Sequence, residues 1–266
     1  MKALVHDGNG TIALVERPRP HIIKPTDAIV RVTLSSICTS DLHIIHGAVP
    51  RALPNTVLGH EFVGVVEEVG DDVRGQCFFC KRGYVNNCEQ GGWELGCRID
   101  GCQAEYTRVP LAEQGLTRIP DHVTDEQALL LGDILATGYF GAEIAEIEPG
   151  DTVAVIGAGP VGLCAMACAR LYGAAQVIAL DIDAARLAVA KREGLADVTV
   201  NPAGPNPAAA TKGAELAVRD LTEGRGADAV IECAGGAGTF EMAWRVARPN
   251  AVVSVMALYE QNQVLP

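Results

Sequence analysis

Three short segments carry side chains able to ligate a metal ion: Cys38-Thr39-Ser40-Asp41-Leu42-His43, Gly59-His60-Glu61 and Gly132-Asp133. One thiolate, one imidazole and one carboxylate from separated segments make a three-ligand zinc site with an open fourth position, the arrangement of a catalytic zinc. A lone cysteine is most often a core residue and a lone histidine a surface or satisfied one. The set points to chemistry because Ser40 and His43 stand two and five residues after Cys38 and the Gly-His-Glu triplet follows. A second constellation lies downstream. Gly157-Ala158-Gly159-Pro160-Val161-Gly162 follows a run that reads as a strand and opens one that reads as a helix, and Asp181 stands 19 residues after Gly162. In that pattern Gly157 allows a tight turn, Gly159 lets the backbone approach a pyrophosphate, and Gly162 lets helix and strand pack closely. The helix N-terminus that Pro160 and Val161 open offers N–H groups and a positive dipole to an anion. A carboxylate at Asp181 would accept from both hydroxyls of an adenosine ribose and repel a 2′-phosphate, so NAD is expected over NADP. Asp183, two residues on, could share the role.

The elements that must position these residues change character along the chain. The first 120 or so residues read as short strands, at 28–34, 62–69 and 104–109, between Gly, Pro and Asp clusters, which suggests a small barrel-like β domain. From Asp125 the pattern is helical until Pro149-Gly150. Then come a strand at 152–156, the glycine turn, a helix through Tyr172, a strand at 176–180, a helix over 184–193 and a Pro/Ala-rich loop at 201–210. A strand at 227–233, a helix at 239–247 and a strand at 251–257 follow. Alternating strand and helix implies right-handed crossovers and a parallel sheet. Cys164 and Cys168 fall one helical turn apart, but no histidine or carboxylate joins them, so packing is expected there.

Composition excludes several classes of function. The chain of 266 residues fits one large or two medium domains. A net charge of −12 with no Lys/Arg cluster argues against a nucleic-acid partner. Residues 152–169 carry no charge over 18 positions, about the length of a membrane span, but the glycines and Pro160 punctuate them into strand, turn and helix. The opening MKALVHDGNG has no apolar core of a signal peptide, and nine cysteines without one imply reduced thiols, so the cytoplasm is the expected compartment.

Taken in order, CTSDLH, LGHEFVGVVEEVG, DILATGY, VAVIGAGPVG and ALDID resemble the zinc-dependent medium-chain alcohol dehydrogenase family over almost the whole chain. The resemblance implies an α/β chain: a GroES-like β-barrel catalytic domain at 1–136, then a Rossmann domain with a doubly wound parallel sheet at 137–266, and an active site in the cleft between them. Carried over by position, Cys38, His60 and Asp133 match the catalytic zinc ligands, and Glu61 the neighbouring carboxylate that can exchange onto the metal. Ser40 and His43 match the proton relay, and Thr137 a threonine near the nicotinamide. Asp133, where many relatives have cysteine, resembles the secondary-alcohol and formaldehyde-type branches. The implied activity is zinc- and NAD-dependent oxidation of a small secondary or polyol alcohol. Two alternatives are a formaldehyde or aldehyde dehydrogenase or dismutase, and a non-catalytic nucleotide-binding paralogue.

Two departures from the family pattern stand out. Its structural zinc lobe has four cysteines, of which Cys77, Cys80 and Cys88 match the last three, while Arg74 occupies the first position. Cys97 or Cys102 could substitute, without the family spacing. The chain passes from GDDVR into GQCFFC without the strand that relatives place there, and it stops at Pro266, before the strand that pairs across a dimer in relatives. The Rossmann domain is therefore expected to be incomplete, the sequence to be part of a longer protein, and the family's dimer or tetramer to lack its pairing strand.

Overall fold

The computed structural model describes residues 1–71, 77–79, 82, 84, 88–89, 91–202 and 206–264. The chain forms two compact units, Met1–Gly132 and Asp133–Pro266.

In the first unit β1 (Lys2–His6) and β2 (Ile12–Glu16) form an antiparallel hairpin. Its turn is held by Asp7, whose Oδ1 accepts from the backbone amides of Asn9 and Thr11. β3 (Ala28–Ser35) is the middle strand of a second sheet, between β4 (Phe62–Val69) and β5 (Tyr106–Val109), both antiparallel to it. Ala28, Ile29 and Val30 are buried in succession, as expected of a strand paired on both edges. Immediately after β3 the chain turns into a short helix, α1 (Thr39–Ile45). Ile44 of α1 packs with Leu58 and Cys97, which presses the helix against the segment leading to β4. Two more helices follow β5, α2 (Ala112–Gly115) and α3 (Asp125–Leu130). Thr124 caps α3 through a reciprocal box with Gln127, and Asp125 accepts from Thr33 Oγ1 of β3 at 2.7 Å. The helical run continues through a π turn at Leu131–Leu135 into α4 (Ala136–Ile144). Such π turns interrupt the regular ladder and recur at functional positions.

The second unit holds a five-stranded sheet in which every neighbouring pair is parallel. Its strands are β6 (Thr152–Ile156), β7 (Gln176–Leu180), β8 (Val198–Val200), β9 (Ala227–Glu232) and β10 (Ala247–Val255), in the spatial order β10-β9-β6-β7-β8. Near-continuous apolar strands such as VAVI and VIAL suit burial on both faces. Val153, Val155, Val177, Ala179 and Ile231 face α5 (Pro160–Leu171) and α6 (Ala184–Arg192) through Ala165, Met166, Ala169, Leu187 and Ala190. Their neighbours Ala154, Ile156, Ile178, Leu180 and Val230 face α7 (Pro207–Leu221) and α8 (Thr239–Val246) through Ala214, Val218, Met242, Ala243 and Val246. This is the doubly wound arrangement that the alternation of elements implies.

Three expectations are corrected. The Pro/Ala-rich stretch is not a loop throughout: α7 begins at Pro207, capped by Asn206 Oδ1, which accepts from the Ala209 amide at 3.0 Å. Proline at the first helical position costs nothing, because its missing N–H would have no intrahelical partner. β8 went unread because three residues carry no measurable alternation. β10 starts at Ala247, not at 251, with a register shift before Val252. The uncharged stretch 152–169 divides into β6, the glycine turn and most of α5, and among the described residues no helix is long and apolar enough to cross a membrane.

The tightest approach in the second unit is at Gly162, where an added Cβ would lie 1.8 Å from the Gly157 carbonyl oxygen. Gly162→Ala is therefore expected to destabilise the fold by about 1–3 kcal/mol, the usual cost of overpacking, read as a lower midpoint in urea unfolding. An unchanged midpoint would show that α5 can shift off the turn.

Candidate functional site

The metal-binding segment is built on the start of α1. Cys38 ends the extended chain and caps the helix, and Asp41 at the third helical position reaches back so that the Cys38 amide donates to its Oδ2 at 3.0 Å. A carboxylate in the first turn also favours the helix dipole. Asp41 is 1% exposed, and burying a carboxylate is costly unless it is paired. Its partners are informative: Gln103 Nε2 donates to Oδ2 at 2.8 Å, and Oδ1 lies 3.6 Å from Nδ1 of His60. One buried group thus holds the backbone of Cys38 and stands 3.6 Å from the imidazole of His60, longer than a hydrogen bond. A carboxylate on the Nδ1 side is the arrangement in which Nε2 would serve as the ligand atom. His60 follows Gly59 at φ +96, where a Cβ would lie 2.6 Å from Gln103 Cγ, so only glycine passes between Gln103 and the His60 backbone.

The remaining donors are held as closely. Glu61 Oε1 stands 4.0 Å from His60 Nε2, and Oε2 accepts a hydrogen bond from Ser36 Oγ. Ser35 Oγ donates to the Glu61 carbonyl at 3.0 Å. Asp133 sits on the π turn, and Thr137 Oγ1, one turn later, donates to its Oδ1 at 3.0 Å. Cys38, His60, Glu61 and Asp133 offer ligand atoms that all lie within 4.8 Å of one another. A thiolate, an imidazole and two carboxylates at that separation fit a zinc ion by donor chemistry. Ser40 Oγ lies 3.3 Å from Cys38 Sγ, and half-buried His43 follows three residues later on α1, a spacing that puts the two on one face.

Two residues escaped the sequence reading. Asp41 lies inside the CTSDLH segment, and its signal was a carboxylate three residues after a cap position. Trp93 had no such signal. Its ring stands edge-on to His60 at 5.7 Å, its carbonyl accepts from Arg51 Nη2 at 2.7 Å, and it packs on the Ile44–Leu58–Cys97 cluster.

The cysteines of the second lobe are described in part. Cys77 and Cys88 have their sulfurs 4.0 Å apart, and Cys80 and Arg74 lie outside the described residues. Cys97 and Cys102 are spent elsewhere. Cys97 is fully buried in the core, and Cys102 Sγ sits 3.5 Å from Ser35 Oγ and from the Glu61 carbonyl oxygen. Burial pushes the Cys102 thiol up to about 11, which suits a packed side chain better than a thiolate ligand. Cys164 and Cys168 belong to α5, and Cys168 is buried against the sheet.

The glycine turn joins β6 to α5. Gly157 has φ +95, and a Cβ there would come within 3.0 Å of the Ala234 amide nitrogen. At Gly159, the cap of α5, a Cβ would meet nothing closer than Arg186 Nη1 at 3.9 Å. The backbone there faces a cradle that a side chain would fill, which fits a pyrophosphate lying over Pro160 and Val161 at the helix start. Asp181 is nearly buried at the end of β7; its Oδ2 accepts from the Ala158 amide at 2.7 Å and its Oδ1 from the Asp183 amide at 2.8 Å. Each carboxylate oxygen retains a lone pair for a further donor. Asp183 instead caps α6, accepting from the Ala185 and Arg186 amides.

Comparison with known proteins identifies the family. The alcohol dehydrogenase GroES-like domain pattern matches residues 24–121, and the zinc-binding dehydrogenase pattern matches residues 160–266. An alcohol dehydrogenase of Cupriavidus necator is 40% identical over 300 aligned residues, covering 100% of this chain and 79% of that protein. The apo form of zinc dependent alcohol dehydrogenase 2 from Streptococcus pneumonia superposes with a TM-score of 0.88 at 38% identity, covering 98% of this chain and 77% of that one. A putative zinc-binding dehydrogenase from Sinorhizobium meliloti 1021, bound to NADP, superposes with a TM-score of 0.83 at 31% identity, covering 100% and 79%. Zinc and a nicotinamide dinucleotide are therefore the cofactors, and the chain belongs to the zinc-dependent medium-chain alcohol dehydrogenase family.

Proposed function

We propose that this chain oxidises a small secondary or polyol alcohol to its carbonyl compound, with NAD as the preferred dinucleotide. The observation that carries the reading is the convergence of Cys38, His60, Glu61 and Asp133 within 4.8 Å, with two hydroxyl-bearing or basic side chains on the adjoining helix. When bound, zinc supplies Lewis acidity toward the alcohol oxygen and the nicotinamide ring supplies the hydride acceptor. Ser40, beside Cys38, accepts the hydroxyl proton, and His43, one turn along α1, is the next station toward solvent. Asp41 stands 3.6 Å from the Nδ1 side of the His60 ring, and Thr137 fixes one oxygen of Asp133 before metal arrives. Glu61, tethered through Ser36, is a further carboxylate within reach of the same point. Trp93 walls the site beside His60.

The NAD preference rests on Asp181. Its negative charge at the end of β7 would repel a 2′-phosphate while accepting ribose hydroxyls. In this reading residues 1–136 form the catalytic domain and residues 137–266 the cofactor domain, and the cysteine usage favours the cytoplasm.

Alcohol-dependent reduction of NAD is expected to disappear on dialysis against a chelator and to return with added zinc; oxidation persisting in metal-free protein would refute the proposal. Asp41→Asn, which keeps the shape and removes the charge, is expected to weaken zinc binding about 10–100-fold in chelator competition. A zinc affinity equal to that of the parent would remove Asp41 from the ligand-orienting role. Comparing kcat/KM for the two dinucleotides should favour NAD, and Asp181→Ala should narrow that preference at least about tenfold, or ~1.4 kcal/mol. A parent enzyme that prefers NADP would overturn the cofactor assignment.

A further inference from the structure

The strand order places Ile156 and Glu232 side by side at the C-terminal ends of β6 and β9. Having run β6, β7, β8 toward one edge, the chain crosses back there to begin β9 on the other side. A dinucleotide on such a sheet straddles this point, one mononucleotide to each half. The glycine turn and Asp181 belong to the β6–β7 half, so the opposite mononucleotide lies over the loops that follow β9 and β10. We propose that Glu232 is a positioning residue for the nicotinamide half of the dinucleotide, acting through the Ala234–Gly235 backbone that its carboxylate holds beside the glycine turn. The inference rests on the nicotinamide cofactor described above.

Glu232 is wholly buried at the end of a strand whose other buried residues are Ala, Val and Ile. An ionised carboxylate there costs more than any aliphatic side chain would unless it does something an aliphatic cannot. Its Oε1 accepts from two successive amides, Ala234 and Gly235, both at 2.9 Å. These amides lie where the ladder has ended, so no strand partner would satisfy them. The main chain at this point is tied on both sides: the Cys233 amide donates to Ile156 O, and the Met256 amide to Glu232 O, each at 2.8 Å. Ala234 in turn abuts the cofactor turn, since a Cβ on Gly157 would meet its N, Cα and Cβ at 3.0–3.1 Å. Gly235, at φ +64, faces the loop after β10, where a Cβ would lie 2.7 Å from Leu258 O. Displacing the Ala234–Gly235 turn therefore moves the wall of the crevice opposite Gly157.

The far side of the carboxylate is closed by that second loop. Tyr259 shares a 3.0 Å hydrogen bond with Thr239 Oγ1. Burial first, and the Glu232 carboxyl group in addition, push the Tyr259 phenol up, so it remains a protonated neighbour of that side chain.

The test is binding, measured apart from turnover. Fluorescence titration with NADH and calorimetry with AMP on the unmodified chain establish the cofactor reading by themselves; if neither binds, that reading fails and not this one. Given binding, Glu232→Ala should raise the NADH Kd about tenfold or more, because two amides lose their acceptor, while the AMP Kd stays within about twofold. Glu232→Gln, which keeps an acceptor oxygen at the turn, should return the NADH Kd to within about threefold of the parent. An unchanged NADH Kd in Glu232→Ala, a parallel loss of NADH and AMP binding, or no rescue by glutamine would each overturn the assignment. Should Glu232→Ala not fold, hydrogen exchange on the unmodified chain decides: NADH but not AMP must slow exchange over residues 233–236. Equal protection by both ligands, or by neither, would refute it.

Discussion

Asp41 is the constraint on which the metal centre depends. A carboxylate at 1% exposure has no water to satisfy it, so the protein must supply its partners, and here they are the Cys38 amide and Gln103, with the His60 ring 3.6 Å away. Two candidate ligands that lie far apart in the chain, at the cap of α1 and before β4, thereby lie beside one fixed group. Gly59 has to be glycine because Gln103 fills the space its side chain would need. The cost of burying Asp41 is thus offset by contacts that also fix the geometry of the site, which is why loss of its charge is read in zinc affinity as well as in stability.

The same device recurs in the second unit. Asp181 closes the glycine turn by accepting from Ala158, and Glu232 closes the opposing turn by accepting from Ala234 and Gly235. Both stand at the C-terminal ends of parallel strands, where the backbone leaves the ladder and its amides need new acceptors. An acidic chain can therefore hold an anionic ligand. Asp181 and Glu232 accept from backbone N–H groups, which leaves the helix dipole at Gly159 and the amides that open α5 as the groups an anion would meet.

What the sequence determined by itself is what depends on local pattern. The Rossmann alternation was legible because buried parallel strands are near-continuous apolar runs and because Gly157 and Gly162 each answer a local steric demand. Cys38, His60 and Asp133 were legible as ligand types, with the choice among carboxylates settled by resemblance to the family. The tertiary structure alone decided what those residues touch. It set Thr137 on Asp133, gave Asp183 to the cap of α6, and sent Cys97 and Cys102 into the core. It also singled out Asp41, Trp93 and Glu232, whose importance lies in partners 19 to 62 residues away or just past a strand end, a relation no spacing encodes. Short elements escaped for a related reason: β8 has too few residues to show a period, and the proline that opens α7 reads the same in a loop. Periodicity reports which face of an element is buried; which charged group that burial then requires is a property of the packed molecule.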